Sequence, residues 1–143
     1  MTISKISNHK VITLSTDKTV LDVARLMREK NIGNVIIVND ENQPVGIITD
    51  RDITIKIVAD EISPNQMLVS DVMSSDLLVL KEYQTIQEAL DMMSAKGVRR
   101  APVVNESNNL TGIVSSDDLA LLVADEIESY GKLIRKQVLP TYR

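Results

Sequence analysis

The hydrophobic pattern of this chain occurs twice. Sliding the sequence by 66 positions lays residues 11–53 on residues 77–119 without a gap. Identity then falls at Leu14/Leu80, Thr19/Thr85, Met27/Met93, Lys30/Lys96, Val38/Val104, Asn39/Asn105, Asn42/Asn108, Gly46/Gly112, Ile47/Ile113 and Asp52/Asp118. Average composition gives roughly three chance identities over such a span, so the match marks an internal duplication. Upstream, Ile3, Ser4 and Ile6 fall on Val69, Ser70 and Val72 in the same register.

Each copy predicts the same elements. A short apolar stretch (Val11–Leu14; Leu77–Leu80) reads as a strand, and a polar turn follows. Thr19 and Thr85 stand as helix N-caps, with Asp22 and Glu88 three residues on completing capping-box patterns. Behind them Val20, Val23, Ala24 and Met27, and in the other copy Ile86, Ala89, Leu90 and Met93, recur at helical spacing. The run Val35–Val38 suits a strand covered on both faces. Its copy holds Pro102, which predicts a strand's first residue or an edge. Turn formers at Asn39–Gln43 and Asn105–Asn109 lead into second strands at Val45–Thr49 and Leu110–Ser115. A last helix is expected near Asp52 and near Asp118. In the first copy Ile53, Ile55 and Ile57 alternate as a strand would, so its helix is read by analogy with the second, where Leu119, Val123, Ile127, Tyr130 and Ile134 have helical spacing. The expected order is β-α-β-β-α twice, a mixed α+β fold: residues 3–60, a linker over 61–68 around Pro64, residues 69–130, and a helix end and tail over 131–143. The C-terminal stripe continues past Gly131, and either its own domain or a second subunit would cover it.

Composition narrows the chemistry. The 143 residues are 43% hydrophobic, enough for a core without disulfide or metal staples. There is no cysteine and one histidine, His9, which excludes thiol nucleophiles, cysteine-built zinc sites and multi-histidine metal sites. Sixteen Lys and Arg against twenty Asp and Glu leave a net charge of −4, and three tyrosines are the only aromatics. A nucleic-acid surface is not expected. Neither a membrane span nor a signal peptide is expected, and the expected location is cytoplasmic.

Candidate chemistry sits where the last strand of each copy meets its helix: Gly46-Ile47-Ile48-Thr49-Asp50-Arg51-Asp52 and Gly112-Ile113-Val114-Ser115-Ser116-Asp117-Asp118. Glycine lets a ligand approach the strand. A hydroxyl beside the free amides of a helix start suits a phosphate oxygen, and the acceptor-only carboxylate suits a ribose diol. Ile47 or Ile113 would then cover a purine face. The same residues are also what an ordinary helix cap requires. Arg99-Arg100, where the first copy has Gly33-Asn34, would clamp phosphates or stand as a solvated pair.

Taken together, the duplicated unit, the two Gly-h-h-[Thr/Ser]-x-x-Asp endings (h apolar), the Val98-Arg99-Arg100-Ala101-Pro102-Val103-Val104 stretch and the Ser70-Asp71-Val72-Met73 lead-in resemble a tandem pair of cystathionine-β-synthase (CBS) domains, a Bateman module, over roughly residues 3–135. The resemblance implies two repeats packed through their sheets about a pseudo-twofold axis, with clefts for adenosyl ligands: AMP, ADP or ATP, or S-adenosylmethionine or NAD. It implies phosphate contacts from Thr49 and Ser115, and ribose contacts from Asp52 and Asp118. Ile47 and Ile113 would lie against adenine, Ile32, Gly33, Val98 and Arg99 would line the cleft of the opposite repeat, and Arg99 and Arg100 would meet phosphate. The first copy has no basic pair, so the clefts should differ. A homodimer through helices is implied as well.

The resulting expectation is a regulatory module, not an enzyme, that binds an adenine nucleotide and signals to a protein effector, with no effector domain in the 143 residues. Two alternatives stand beside it: a ligand-free dimerisation scaffold, and a phosphohydrolase using Asp50/Asp52 or Asp117/Asp118 with a metal.

Overall fold

The computed structural model describes residues 1–138; the last five residues of the expected tail lie outside the described residues. Two three-stranded sheets form, ordered β1-β2-β3 and β4-β5-β6. The first holds β1 (Thr13–Ser15), β2 (Asn34–Val38) and β3 (Pro44–Thr49), with α1 (Val20–Lys30) between β1 and β2. After β3 come α2 (Asp50–Ile53), a π-helical turn (Thr54–Val58) and a short α3 (Val69–Val72). The second holds β4 (Leu80–Lys81), α4 (Ile86–Lys96), β5 (Arg100–Val104) and β6 (Leu110–Ser115), followed by α5 (Ser116–Val138). In each sheet the central strand pairs parallel with the first and antiparallel with the third, with a bulge at the equivalent place, Ile37/Val38 and Val103/Val104.

Local signals account for the helices. The Thr19 hydroxyl accepts from the Asp22 amide at 3.2 Å, while the Thr19 amide donates to Asp22 Oδ2 at 2.9 Å. Thr85 and Glu88 repeat the box at 3.2 and 2.9 Å. Both helices end on a left-handed residue at equivalent positions, Asn31 (φ 54°) and Gly97 (φ 69°). The two hairpin turns match too: Asn39 Oδ1 accepts from the amides of Glu41 and Gln43, and Asn105 Oδ1 from those of Ser107 and Asn109.

Two expectations need correction, and one is resolved. The first strands start later than their apolar stretches, at Thr13 and Leu80. The Ile53-Ile55-Ile57 segment, alternating like a strand, is helical as its copy implied: Ile57 is buried and Ile55 faces solvent. Pro102 is neither at a strand's start nor on an edge; it is the third residue of the central strand β5. Its counterpart Ile36 donates its amide outward to Ile12 O at 3.3 Å, on the β1 side. A proline there has no such donor, and β4 begins only opposite Val103, one residue beyond Pro102.

The cores interlock. Val69 and Val72 are buried with Val20, Val23, Val35, Ile37 and Ile48 under the first sheet, whereas Ile3 is buried with Leu80, Ala89, Val103, Val114 and Leu119 under the second. Each lead-in segment therefore packs on the other copy's sheet. Asn8 bridges to Ile113, with reciprocal amide bonds of 2.8 and 3.0 Å, and Ser74 bridges to Ile47 at 2.9 and 3.1 Å. Thr2 bridges to Thr85 and Leu68 to Thr19, so each lead-in also lies across a helix start. Leu110 N donates to Asn42 O at 2.9 Å, tying the two sheets together at the hairpin end. No helix among the described residues is long and apolar enough to cross a membrane.

Ile3→Ala should cost about 2–5 kcal/mol, the usual range for emptying a fully buried isoleucine site. Hydrogen exchange should then accelerate in β4–β6 before β1–β3, although residue 3 precedes the first copy in sequence. In acid, the Asp22 carboxyl is held below the ordinary carboxylate value, first by the Thr19 amide it accepts from and then by the Thr19 hydroxyl. Its folded-state pKa lies below the unfolded 3.8, so its stabilisation is present above that value and is lost as pH falls through the folded value. Asp22→Asn should flatten that limb of an acid-unfolding titration followed by circular dichroism.

Candidate functional site

The glycines that open each strand-to-helix motif are not ligand-facing. A Cβ on Gly112 would lie 2.8 Å from Ser7 Oγ, 3.1 Å from Ser7 Cβ and 3.3 Å from Asn8 O. One on Gly46 would collide with Met73 Sδ and lie 2.8 Å from Met73 Cγ. Ser7 and Met73 are equivalent residues of the exchanged lead-ins, so these glycines admit protein backbone and side chain rather than a nucleotide.

The hydroxyl and carboxylate of each motif form a helix cap. Thr49 Oγ1 donates to Asp52 Oδ2 at 3.0 Å and accepts from the Asp52 amide at 3.2 Å. Ser115 Oγ donates to Asp118 Oδ2 at 2.8 Å and accepts from the Asp118 amide at 3.1 Å. Both hydroxyl protons are thus committed. The second carboxylate oxygens differ. Asp52 Oδ1 pairs with Lys56 Nζ at 3.3 Å, and that ammonium also donates to Val72 O at 2.9 Å. Residue 56 corresponds to Leu122, and Asp118 Oδ1 has no partner among the described residues.

Beside Asp118 lies a cleft of about 240 Å³ between the two copies. Ile113, Ser115, Asp118 and Arg100 come from the second copy, and Ile32, Asn34 and Ile36 from the first. Asn8, Lys10, Val11 and Ile12, brought by the exchanged lead-in and the start of the first copy, complete it. Its walls are apolar (Val11, Ile12, Ile32, Ile113), with buried Ile36 behind them and polar groups at the rim. Lys10 and Arg100 are exposed there, and neither has an ion-pair partner among the described residues.

Of the residues singled out from sequence, Ile32, Arg100, Ile113, Ser115 and Asp118 come together in this cleft. The others do not line it. Arg99 instead points its guanidinium at Asp117, 3.5 Å away and equally exposed, and its carbonyl accepts from the Ser116 amide at 2.7 Å. Gly33 plays the same backbone part, its carbonyl accepting from Asp50 at 2.9 Å. Val98 packs against the second core. Ile47, Thr49 and Asp52 belong to the pseudo-symmetric position. There the counterpart of Lys10 is Asp76, which pairs with Lys96 at 2.6 Å, and the counterpart of Ile36 is Pro102. The two positions therefore differ in charge: cation and carboxylate are paired with each other at the pseudo-symmetric one, whereas Lys10 and Arg100 have no ion-pair partner among the described residues. Sequence reading missed Lys10 and Asn8, because exchange of the lead-ins is not encoded locally; the Lys10/Asp76 difference between copies is the signal that separates the two positions.

Comparison with known proteins agrees with this architecture. The CBS domain profile matches residues 3–59 and 69–125. Hypoxic response protein 1 of Mycobacterium tuberculosis is 35% identical over 115 residues, 80% of each chain. The CBS domain-containing protein YhcV of Bacillus subtilis is 35% identical over 112 residues, 78% of each. A relative from Methanopyrus kandleri is 37% identical over 119 residues, 83% of this chain, and this chain spans 61% of that protein's length. Among solved structures, the CBS domain pair of protein MJ0100 in complex with 5-methylthioadenosine and S-adenosyl-L-methionine superposes with a TM-score of 0.76 at 25% identity, covering 88% of this chain and 98% of that one. Hypoxic Response Protein I with two coordinated zinc ions gives 0.74 at 35% identity, covering 84% and 97%. By sequence profile, by relatives and by fold, the chain belongs to the CBS domain family and carries two CBS domains in tandem.

Proposed function

We propose that this CBS pair is a regulatory module that binds one adenine nucleotide per chain, in the cleft capped by Ser115 and Asp118, and passes the occupancy to a protein effector. The observation that carries this reading is the pair of unpartnered cations, Lys10 and Arg100, at the rim of an apolar cleft whose carboxylate keeps one oxygen free. Asp118 Oδ1 is an acceptor for ribose hydroxyls. The apolar walls suit a base, and the cleft's volume suits a base and sugar, leaving phosphates at the rim beside Lys10 and Arg100. MJ0100 binds adenosyl ligands in its CBS pair, which supports adenosine as the common part. The two rim cations favour a phosphate-bearing member of that class, such as AMP, ADP or ATP, over neutral methylthioadenosine. The pseudo-symmetric position is the poorer one: Lys56 holds the corresponding carboxylate oxygen, and Asp76 stands where a cation would be needed.

Calorimetry on ligand-free protein tests this with AMP, ADP, ATP, methylthioadenosine, S-adenosylmethionine and NAD, using guanine nucleotides as controls. One site per chain is expected, with AMP tighter than methylthioadenosine. Asp118→Ala should weaken AMP at least tenfold, as loss of charge-assisted hydrogen bonds of about 1.5–3 kcal/mol requires, while Asp52→Ala leaves it unchanged. Ser115→Ala separates the cap from the carboxylate: it should cost about 1 kcal/mol of stability and little affinity. Equal binding of AMP and methylthioadenosine would refute the phosphate reading. No heat with any adenosyl ligand would leave the ligand-free scaffold, and release of phosphate from ATP would turn the assignment to a hydrolase.

A further inference from the structure

The two copies part company at their hairpin ends, away from the cleft. On one side Leu110 donates its amide to Asn42 O at 2.9 Å. Under the 66-residue shift Leu110 falls on Pro44 and Asn42 on Asn108. The return bond to Asn108 O would need an N–H from Pro44, which a proline lacks. Both asparagines hold the same left-handed backbone, φ 59° and 65°, so the turns themselves match. On the side without the bond, a cavity of about 340 Å³ lies between the first copy's hairpin and β4–β5 of the second.

Its lining is apolar with a single charge. Pro44, Val45, Val79 and buried Val104 form the walls, Lys81 is the one charged residue, and no Asp or Glu reaches the cavity. Lys81 is half-buried, and its ammonium donates to Asn108 Oδ1, which holds the head of the side chain at the cavity. It has no ion-pair partner among the described residues, and two of its three N–H donors stay available. An ammonium partly withdrawn from water beside apolar walls is stabilised by an anion. On the other side of the molecule the corresponding residues are Thr13 for Val79, Ser15 for Lys81 and Thr111 for Val45. Hydroxyls there replace both the walls and the cation. The apolar surface, the cation and the missing N–H therefore occur together, on one side only.

We propose that this cavity binds a small organic acid, a monocarboxylate with a branched aliphatic body, its carboxylate on Lys81 and its hydrocarbon against Pro44, Val45 and Val79. One ammonium balances one carboxylate charge, and walls of valine and proline match an aliphatic chain. The volume falls within the range of small-molecule sites. Strand β5 carries Arg100 of the cleft at one end and Val104 of this cavity at the other, about 13 Å apart at 3.3 Å per residue. The two sites share that strand but no lining residue, and this one does not depend on what the cleft binds.

An amide-resolved NMR titration of the whole chain with 4-methylpentanoate tests this, with 4-methylpentanamide and acetate as controls. The acid should shift the amides of Val45, Val79, Lys81 and Asn108, with a dissociation constant at or below the millimolar range. The uncharged amide and the short acetate should each bind at least tenfold more weakly, one for want of charge and the other for want of apolar contact. Lys81→Gln should weaken the acid at least tenfold while the spectrum stays that of the folded protein. Pro44→Leu restores the N–H that the other hairpin uses, so it should close the cavity through Asn108 O and abolish the shifts. No shift at about ten millimolar acid, equal binding of acid and amide, or binding that survives either substitution unchanged would each overturn the proposal.

Discussion

The structure depends on a reciprocal exchange. Ser7 and Asn8 close on Gly112, Met73 and Ser74 close on Gly46, and each contact carries a short antiparallel pair of backbone hydrogen bonds. A side chain on either glycine would hold the lead-in off the strand, and the buried residues behind it, Ile3 in one case and Val69 and Val72 in the other, would leave their cores with it. Neither core is built from one copy's segment alone, and the exchange fixes the separation of the two copies that forms the cleft. Lys10 reaches the rim only because the chain has just passed over β6.

Within that frame one residue set serves two purposes. The hydroxyl and carboxylate at the end of β3 and of β6 cap the following helix in both copies, with nearly the same distances. A cap uses one carboxylate oxygen and leaves the other. What becomes of that second oxygen is decided one turn along the helix, where the first copy has Lys56 and the second has Leu122. Duplication thus preserved the cap in both copies, while single substitutions at positions 10/76 and 56/122 set the charge of each position separately.

The fold was legible because its signals are local and occur twice. Capping boxes at Thr19 and Thr85, left-handed ends at Asn31 and Gly97, and asparagine turns at 39 and 105 each act within a few residues, and agreement between copies removes chance. The helix after Asp52 was legible only through its copy, since its own isoleucines alternate like a strand's. Long-range features were not legible. A glycine approached by a ligand and one approached by a neighbouring segment leave the same sequence signature, so Gly46 and Gly112 were first read as ligand-facing. Arg99 and Arg100 are adjacent in sequence but part in space: Arg100 opens β5 and lines the cleft, while Arg99 stays in the preceding turn beside Asp117. Pro102 was misplaced because the expectation concerned the strand as a whole, whereas only the direction of one missing N–H matters.

The cleft and the C-terminal helix are one mechanical element. Ser115 and Asp118 are at once the wall of the cleft and the cap of α5, so a ligand taking Asp118 Oδ1, as proposed, would act on the first turn of a continuous helix whose far end carries the exposed Ile127, Tyr130 and Ile134. Leu119, the next residue, is the last one that anchors α5 in its own core. A small rotation about that anchor moves residues some 25 Å away in proportion to the lever, at 1.5 Å of rise per residue. A ligand shifts such an equilibrium only by its differential affinity for two helix orientations. A ligand held by Asp118 Oδ1 would bear on the residue whose Oδ2 caps α5, so its affinity would depend on the orientation of that first turn. On the proposed function, signalling from the cleft would require no relay through the core, since the residue that would hold the ribose also caps α5.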